Sequence, residues 1–448
     1  MARPRGRPDG SPVCPPLTQV STEVPGNPSL SASGLAGRLG LHTRGALVSG
    51  LVAAVVTAGT TAVAVWQEVT AAGAAWARGT GIDFASTTWH AVRGLLAGQD
   101  VYTTSTRIAG VGVTWPAGEH VPATLTWQAP FAALPLWAGF IAFDVASIAA
   151  IWAAVFMLAR PRSPQAVLVA SCCGAFAIIT GGGKWTLMLG QPPGFELLGI
   201  ALLVRARKPW VAAFGFVLAA STFQTGVPLA LALIVLRAWP ELWRGVVLVA
   251  ALSLPAVALG VSAAGGLVRY VRVFTSSAFG HLGTLPGQVS HLAYQPNRID
   301  IGGLLHQVGV ASTGVQLGAG LLVLALCLLL LARLPAALRR LSYPPVLCLV
   351  IAATIMCAYH QPYDMLLVAG AVVPTVLLAG DRSAFTLGVF AAAGISVAVS
   401  NNAPVAAIID PVCLLVIALL SAMSARRADG PTAATSPGPI SAELTSTG

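Results

Sequence analysis

The amino-acid sequence predicts an all-α polytopic membrane protein, and two observations support this. Of the 448 residues, 56% are hydrophobic and only 9% are charged, with a mean hydropathy of +0.79. Soluble domains contain about 25% charged residues. In addition, the apolar residues form runs that approach the ~20 residues needed to cross a bilayer. We expect these runs to be helices, because a backbone in lipid must satisfy its own hydrogen bonds.

The apolar runs predict about twelve transmembrane helices, within a range of 10–13, in a domain at residues 44–423. Residues 1–43 and 424–448 are rich in Pro, Ser and other small or polar residues and are predicted to be disordered cytoplasmic tails. The pair at 210–236 is either one long helix or a hairpin broken at Gln224-Thr225-Gly226. The twelve runs lie at 45–66, 138–159, 165–181, 191–204, 210–222, 225–236, 245–264, 314–333, 344–358, 364–380, 384–400 and 405–423.

The basic residues predict the orientation of these helices. With a cytoplasmic N-terminus, 18 of the 25 Lys and Arg residues fall in inner segments, as expected from the positive-inside rule. Both termini are then cytoplasmic, and two long outer loops run from about 67 to 137 and from about 265 to 313. We expect interfacial helices in these loops. The net charge of +10 is explained by orientation, so no nucleic-acid partner is predicted.

Several familiar chemistries have no support in the sequence. The seven cysteines show no metal-binding spacing and are interpreted as small apolar helix residues. The chain contains no GxxxxGK[ST], no strand-linked GxGxxG and no HExxH. An ATP-driven pump, a Rossmann-type nucleotide-sugar enzyme and a zinc protease are therefore unsupported, and we expect neither a metal nor a cofactor.

Asp83 is the first candidate site residue, because it precedes a short amphipathic segment after the first apolar run. Its apolar side comprises Phe84, Trp89, Val92, Leu95 and Leu96, and its polar side comprises Ser86, Thr87, His90 and Arg93. This pattern predicts an interfacial helix. Asp83 is either the N-cap of that helix or a general base. It can do both only if its second carboxylate oxygen is free.

Four further candidate residues are predicted on the outer side, three at the ends of apolar runs and Arg298 in the second long outer loop. His360 and Asp364 form an i, i+4 pair at a Pro-interrupted junction, and are either functional groups at membrane depth or a polar loop tip. Gln191 opens a run within Gly190-Gln191-Pro192-Pro193, either as part of a helix start or as an amide that faces a sugar or phosphate. Arg298 is either a phosphate clamp or the partner of Asp300 or of a lipid head group.

Five motifs in order give a family resemblance over roughly residues 45–423. They are Asp83-Phe84 closed by Gly98-Gln99-Asp100-Val101-Tyr102, Trp127-Gln128-Ala129-Pro130-Phe131 with Leu134-Pro135-Leu136, Gly190-Gln191, Ser221-Thr222-Phe223-Gln224, and His360. This order resembles the GT-C glycosyltransferases of glycosyltransferase family 87, which include mycobacterial and corynebacterial mannosyltransferases and arabinofuranosyltransferases. The chain departs from the family where a Tyr-Pro-Pro entry is replaced by Trp127-Gln128-Ala129-Pro130, and where a Lys or Arg is replaced by Gln224.

The resemblance implies a GT-C-like fold and an inverting sugar transfer at the outer face of the plasma membrane. The donor would be a polyprenyl-phosphate sugar, with mannose preferred and arabinofuranose as the alternative. The acceptor would be a glycolipid or lipoglycan, and membrane lipids would surround the multi-pass domain. Asp83 would be the catalytic base. The substrate-binding residues implied are Gln191, His360, Arg298, Tyr102, Trp89, His90 and Asp364.

Two alternative functions are not enzymatic: a lipid or solute transporter, and an inactive glycan-binding scaffold. A transporter is expected to keep polar groups near the middle of its membrane helices. The main acidic residues in the apolar runs are Asp144 and Glu196, and both stand near the ends of their runs. This placement argues against transport.

Overall fold

A computed structural model gives the architecture of residues 32–77, 83–102, 107–108, 112–113, 120–281, 298–378, 384–399 and 403–427. The chain divides into two units, residues 1–45 and 46–448. The described part of the first unit, residues 32–45, is helical. Helix α1 therefore begins inside the predicted 1–43 tail, where leucines replace the prolines of the preceding segment. Residues 1–31 and 428–448 lie outside the described residues.

Helices make up nearly all of the described structure. The first group is α1 Ala32–Ala77, a π-helical segment Phe84–His90, α2 Ala91–Leu96, α3 Pro122–Ala133, α4 Leu136–Ala159, α5 Pro164–Ile179, α6 Gly181–Leu189, α7 Pro193–Arg205, α8 Pro209–Ala219, α9 Phe223–Val235, α10 Trp239–Ala264 and α11 Leu267–His281. The second group is α12 Ile301–Gln307, α13 Thr313–Ala332, α14 Pro344–Cys357, a 3₁₀ turn Pro362–Asp364, α15 Met365–Leu367, a π-helical turn Val368–Val372, α16 Val373–Leu377, α17 Ala384–Val399 and α18 Ala403–Arg427. Two short antiparallel strands, β1 Arg107–Ile108 and β2 Gly112–Val113, pair with each other.

Proline and capping side chains explain where many of these helices begin. Proline occupies the first turn of α3, α5, α7, α8 and α14, where its missing N–H costs no hydrogen bond. Ser163 caps α5 by accepting from Ala166 N at 3.2 Å. Asp300 caps α12 by accepting from Gly303 N at 3.0 Å.

The prediction of twelve transmembrane helices is wrong. Among the described residues, five helical stretches are long and apolar enough to span a bilayer, or six if the bent α5–α6 pair is one span. The five are Gly45–Gln67, Leu136–Ala159, Trp239–Ala264, Thr313–Ala332 and Val405–Ala425. The other apolar runs form helices at the predicted places, but these have only 10–17 residues. Helix α14 shows the reason, since Pro345 through Cys357 are all buried by protein. Such a run is apolar because it is core, and the sequence alone does not distinguish core from lipid-facing helix.

Burial separates central from peripheral spanning helices. In the apolar stretches of α4 and α18, 56% of the residues are buried by other parts of the protein. In those of α1 and α10, only 11% are buried. Helices α7 and α8 pack at close range, because a Cβ at Gly199 would lie 2.4 Å from Ala219 N. The break between α8 and α9 falls at residues 220–222, just before the predicted Gln224-Thr225-Gly226.

The segment after Asp83 is buried on both sides, so the prediction of a one-sided interfacial helix is wrong. Phe84 is fully buried, but Ser86 and Thr87 are also only 3% and 6% exposed, whereas Leu96 is 69% exposed. The cause is the π-helical geometry of Phe84–His90, which changes the angular spacing on which the two-sided pattern depends.

Candidate functional site

Asp83 stands at the start of the π-helical segment, but it does not cap it. Its own backbone is already helical, with φ −63° and ψ −34°, and its side chain accepts no capping hydrogen bond. An N-cap residue has non-helical angles, which is why the capping prediction fails. Its carbonyl instead accepts from Thr87 Oγ1 at 2.9 Å. The carboxylate is thus available for a partner elsewhere in the fold.

That partner is Gln191, whose Nε2 donates to Asp83 Oδ2 at 2.6 Å. Gly190 ends helix α6 with φ +66°, and a Cβ at this position would lie 2.5 Å from Phe84 Cβ. The glycine therefore allows the two segments to approach at the residues that neighbour Gln191 and Asp83. Phe84 is held in turn by Phe140, with ring centroids 5.8 Å apart.

The environment of Asp83 suits a base. Burial raises the pKa of the Asp83 carboxyl above its ordinary value, and the hydrogen bond from Gln191 acts in the opposite direction. Among the described residues, Oδ2 is held by Gln191 while Oδ1 has no hydrogen-bond partner. The result is an oriented carboxylate with one free oxygen.

His360 and Asp364 also lie together. His360 Nδ1 is 3.0 Å from Asp364 Oδ2, within ion-pair distance. Asp364 Oδ2 also accepts from Gln361 N at 2.8 Å, so this carboxylate closes the turn at Pro362–Asp364 as well. His360 is 1% exposed, and its Nε2 has no hydrogen-bond partner within the described part of the chain. Both ring nitrogens are enclosed by protein, and Nδ1 faces Asp364, so a ligand can reach Nε2 only if the surrounding side chains move.

Each of the three guanidinium nitrogens of Arg298 donates a hydrogen bond within the protein. Its Nη2 and Nε donate to the two oxygens of Asp300 at 2.6 and 2.9 Å, and its Nη1 donates to Gln316 Oε1 at 3.1 Å. This geometry favours the pairing with Asp300 over the phosphate clamp. The segment also holds the backbone of His360, since Ile299 N donates to His360 O at 3.1 Å and His360 N donates to Asp300 Oδ2 at 3.3 Å.

Helix α6 connects the two clusters. Gln191 N donates to Thr186 O at 2.8 Å, and Thr186 Oγ1 lies 3.3 Å from Tyr363 O. Tyr363 is the neighbour of Asp364. Thr186 is completely buried and was not identified from the sequence. The available signal was a hydroxyl residue in the short segment between the runs 165–181 and 191–204, which is too common to be specific.

Trp89, His90 and Tyr102 have surroundings of their own. Trp89 Nε1 donates to Leu134 O at 3.0 Å, which caps the end of α3. His90 is partly buried, its Nε2 has no hydrogen-bond partner among the described residues, and burial lowers the pKa of its imidazole. Tyr102 is buried against Tyr270, with ring centroids 6.0 Å apart. Among the described residues, no hydrogen bond joins these three side chains to the pair of Asp83 and Gln191.

Two buried acidic groups add to the polar interior. Glu196 accepts from Thr222 at 3.0 Å and from Thr225 at 3.1 Å, which ties the Ser221–Gln224 motif to α7. Asp410 is fully buried inside a spanning helix and accepts from Ser396 at 2.7 Å. Asp410 is the sixth residue of the stretch Val405–Ala425, and Asp144 is the ninth residue of α4, so neither lies in the terminal turn of its helix. The placement of the acidic residues therefore does not argue against transport.

The family comparison decides the class of protein. Residues 120–358 match the model of glycosyltransferase family 87, which is more than half of the chain. The chain belongs to glycosyltransferase family 87. No curated protein and no solved structure matches it. Family membership confirms the resemblance and makes the protein a glycosyltransferase with membrane-spanning helices.

The matched region of this family 87 glycosyltransferase contains Gln191 and Arg298 but ends before His360. Asp83 precedes it. Asp83 and His360 lie outside the matched region, and their roles therefore depend on the hydrogen bonds that connect them to it. Within the described residues, no three His, Cys, Asp or Glu side chains come together as a metal-binding group.

Proposed function

We propose that this glycosyltransferase moves a sugar, with inversion, from a polyprenyl-phosphate donor to a glycolipid or lipoglycan acceptor at the outer face of the plasma membrane. Mannose is the preferred sugar and arabinofuranose the alternative. The observation that carries the proposal is the carboxylate of Asp83, which has one oxygen fixed by Gln191 at 2.6 Å and the other without a hydrogen bond from any described residue.

The proposed step is a single displacement. The acceptor hydroxyl attacks the anomeric carbon of the donor, and its proton passes to the free oxygen of Asp83. The bond between the anomeric carbon and the phosphate oxygen breaks as the new glycosidic bond forms, and polyprenyl phosphate leaves with the bonding electrons. A raised carboxyl pKa makes Asp83 a stronger base than an exposed aspartate.

The leaving phosphate needs a hydrogen-bond donor or positive charge. His360 is proposed for this role, because its Nε2 is unpartnered among the described residues and its Nδ1 faces Asp364 at 3.0 Å. Asp364 would fix the ring and stabilise its protonated form. Arg298 is not proposed for the phosphate, because Asp300 and Gln316 already take its donors. It is proposed instead to position His360.

The membrane location supports a lipid-linked donor. In the described part of the chain, five or six apolar stretches are long enough to span a bilayer, so a prenyl chain can lie between helices and lipid. A multi-pass arrangement in the plasma membrane, with both tails cytoplasmic and the site facing outward, is part of the proposal. It requires an even number of spans, which six spans satisfy if the α5–α6 pair counts as one and five spans do not.

The test is transfer of labelled sugar to lipid acceptors in membranes that contain the full chain. Asp83→Asn removes the base but keeps the shape and is expected to lower transfer at least 100-fold, the lower end of general-base effects being about 10²-fold. Asp144→Asn is the control, because it makes the same chemical change at a buried acidic residue on the neighbouring helix α4. It is expected to keep transfer within about twofold of wild type. Parallel assays use polyprenyl-phosphate mannose and polyprenyl-phosphate arabinofuranose.

The outcomes separate the candidate functions. Full activity of Asp83→Asn at normal protein level overturns the role of Asp83. Transfer from the arabinofuranose donor alone selects the alternative sugar. A wild-type protein that binds glycolipid but transfers neither sugar is a scaffold, and one that moves lipid across vesicles without transfer is a transporter.

A further inference from the structure

A groove of about 340 Å³ lies between helices α13, α14 and α18, away from the residues of the proposed active site. Its walls are almost entirely apolar, and they include Leu326 and Leu419, which are 51% and 54% exposed. The volume falls in the range of about 300–1,000 Å³ that is usual for small-molecule sites. The groove therefore has the size and surface for a hydrocarbon chain.

One end of the groove is positively charged. Arg333 lines the groove at the C-terminal end of α13. The guanidinium of Arg339 lies beside it, because it donates to Leu334 O at 2.6 Å and to Ala332 O at 2.5 Å, the two carbonyls that flank Arg333. The structure shows no carboxylate paired with either arginine among the described residues.

We infer that this groove binds one anionic membrane phospholipid, with an acyl chain along α13 and α18 and its phosphate on Arg333. The arginine charge complements the phosphate, and a guanidinium matches phosphate geometry through paired N–H donors. Basic pockets between membrane helices are known to bind anionic head groups. The site does not depend on the proposed sugar transfer and does not share residues with it.

The test measures lipid retained by the purified full-length chain in detergent, using native mass spectrometry. The probes are phosphatidylglycerol and phosphatidylcholine with identical acyl chains. Wild-type protein is expected to retain one phosphatidylglycerol in preference to phosphatidylcholine. Arg333→Gln is expected to lower that retention about fivefold, as expected from the contribution of one arginine near a membrane surface, and Arg333→Lys is expected to keep most of it. Arg207→Gln is the matched control, because Arg207 is exposed in the turn between α7 and α8 and does not line the groove.

A second variant tests the groove itself. Ala418 is 5% exposed and lines the groove, so Ala418→Phe adds a ring where the chain would lie. It is expected to lower the retention of phosphatidylglycerol even though Arg333 is intact. Equal retention of the two lipids by wild type, or unchanged retention in Arg333→Gln, overturns the inference. So does displacement of the lipid by an equal amount of polyprenyl phosphate, or burial of the groove in a dimer.

Discussion

Substitution of Gly190 by alanine tests whether the contact between α6 and the Asp83 segment creates the active carboxylate. The backbone φ of +66° costs a non-glycine residue about 1–3 kcal/mol. The new Cβ would also lie 2.5 Å from Phe84 Cβ and 3.1 Å from Phe140 Cε2. Because the nearest atom is a Cβ, no rotamer change of Phe84 relieves the contact, and the two backbones must separate. Overpacking of this kind costs about 1–3 kcal/mol.

The separation needed is about 1 Å, since ordinary van der Waals contact begins at 3.4 Å. A shift of this size stretches the 2.6 Å bond between Gln191 and Asp83 to the limit of a hydrogen bond. Displacement of a catalytic group by about 1 Å can cost roughly 100-fold in rate. We therefore expect Gly190→Ala to lose about 2–6 kcal/mol of stability and at least 10-fold of transfer activity.

Gly98→Ala is the matched control for this experiment. Gly98 has a similar φ of +74°, but a Cβ there would meet nothing within 4 Å. Gly98→Ala therefore has the cost of a positive φ but no steric clash. We expect it to keep its transfer activity and to unfold at a slightly lower temperature than wild type. Thermal unfolding in detergent and sugar transfer in membranes are measured for both variants. If Gly190→Ala is as active as Gly98→Ala, the close approach does not set the site and the reasoning fails.

Two further predictions concern the partners of the catalytic groups. Gln191→Leu removes the hydrogen bond that lowers the pKa of Asp83, so the pKa of this carboxyl should rise. Because the base must lose its proton to act, the acidic limb of the pH–rate profile should move to higher pH. An acidic limb that stays at the same pH in transfer assays would contradict this. Asp300→Asn leaves the buried charge of Arg298 without its counter-ion and should cost about 3–5 kcal/mol in thermal or denaturant unfolding, with loss of transfer through His360. The double variant Arg298→Met with Asp300→Leu should recover the part of the stability that the unpaired charge costs, but not the part that depends on Asp300 as acceptor for Gly303 N and His360 N, and not the activity. Recovery of the activity would show that the pair does not position His360.

The helix positions were largely predictable, and the number of spans was not. Periodicity and apolar runs located α4, α13 and α18 to within a few residues, because long apolar stretches have few alternatives. The same reasoning failed for α14, which is equally apolar but has only 14 residues and is packed inside protein. Apolar composition reports that water is excluded, but it does not report whether lipid or protein excludes it.

The sequence indicated most of the residues of the candidate site, but not the hydrogen bonds between them. Asp83, Gln191 and the pair of His360 and Asp364 were identified because charged and amide groups are rare in so apolar a chain. The role of Arg298 was left open, and only the structure showed that Asp300 and Gln316 take its donors.

The sequence by itself determined that this chain is helical, belongs in a membrane and carries the ordered motifs of a glycosyltransferase family, because composition and short-range spacing encode these properties directly. The tertiary structure decided which residues meet. The hydrogen bond between Asp83 and Gln191 joins residues 108 positions apart, and it depends on a left-handed glycine that allows two backbones to touch. No local pattern encodes such a contact, because the free energy that forms it comes from the packing of helices distant in sequence.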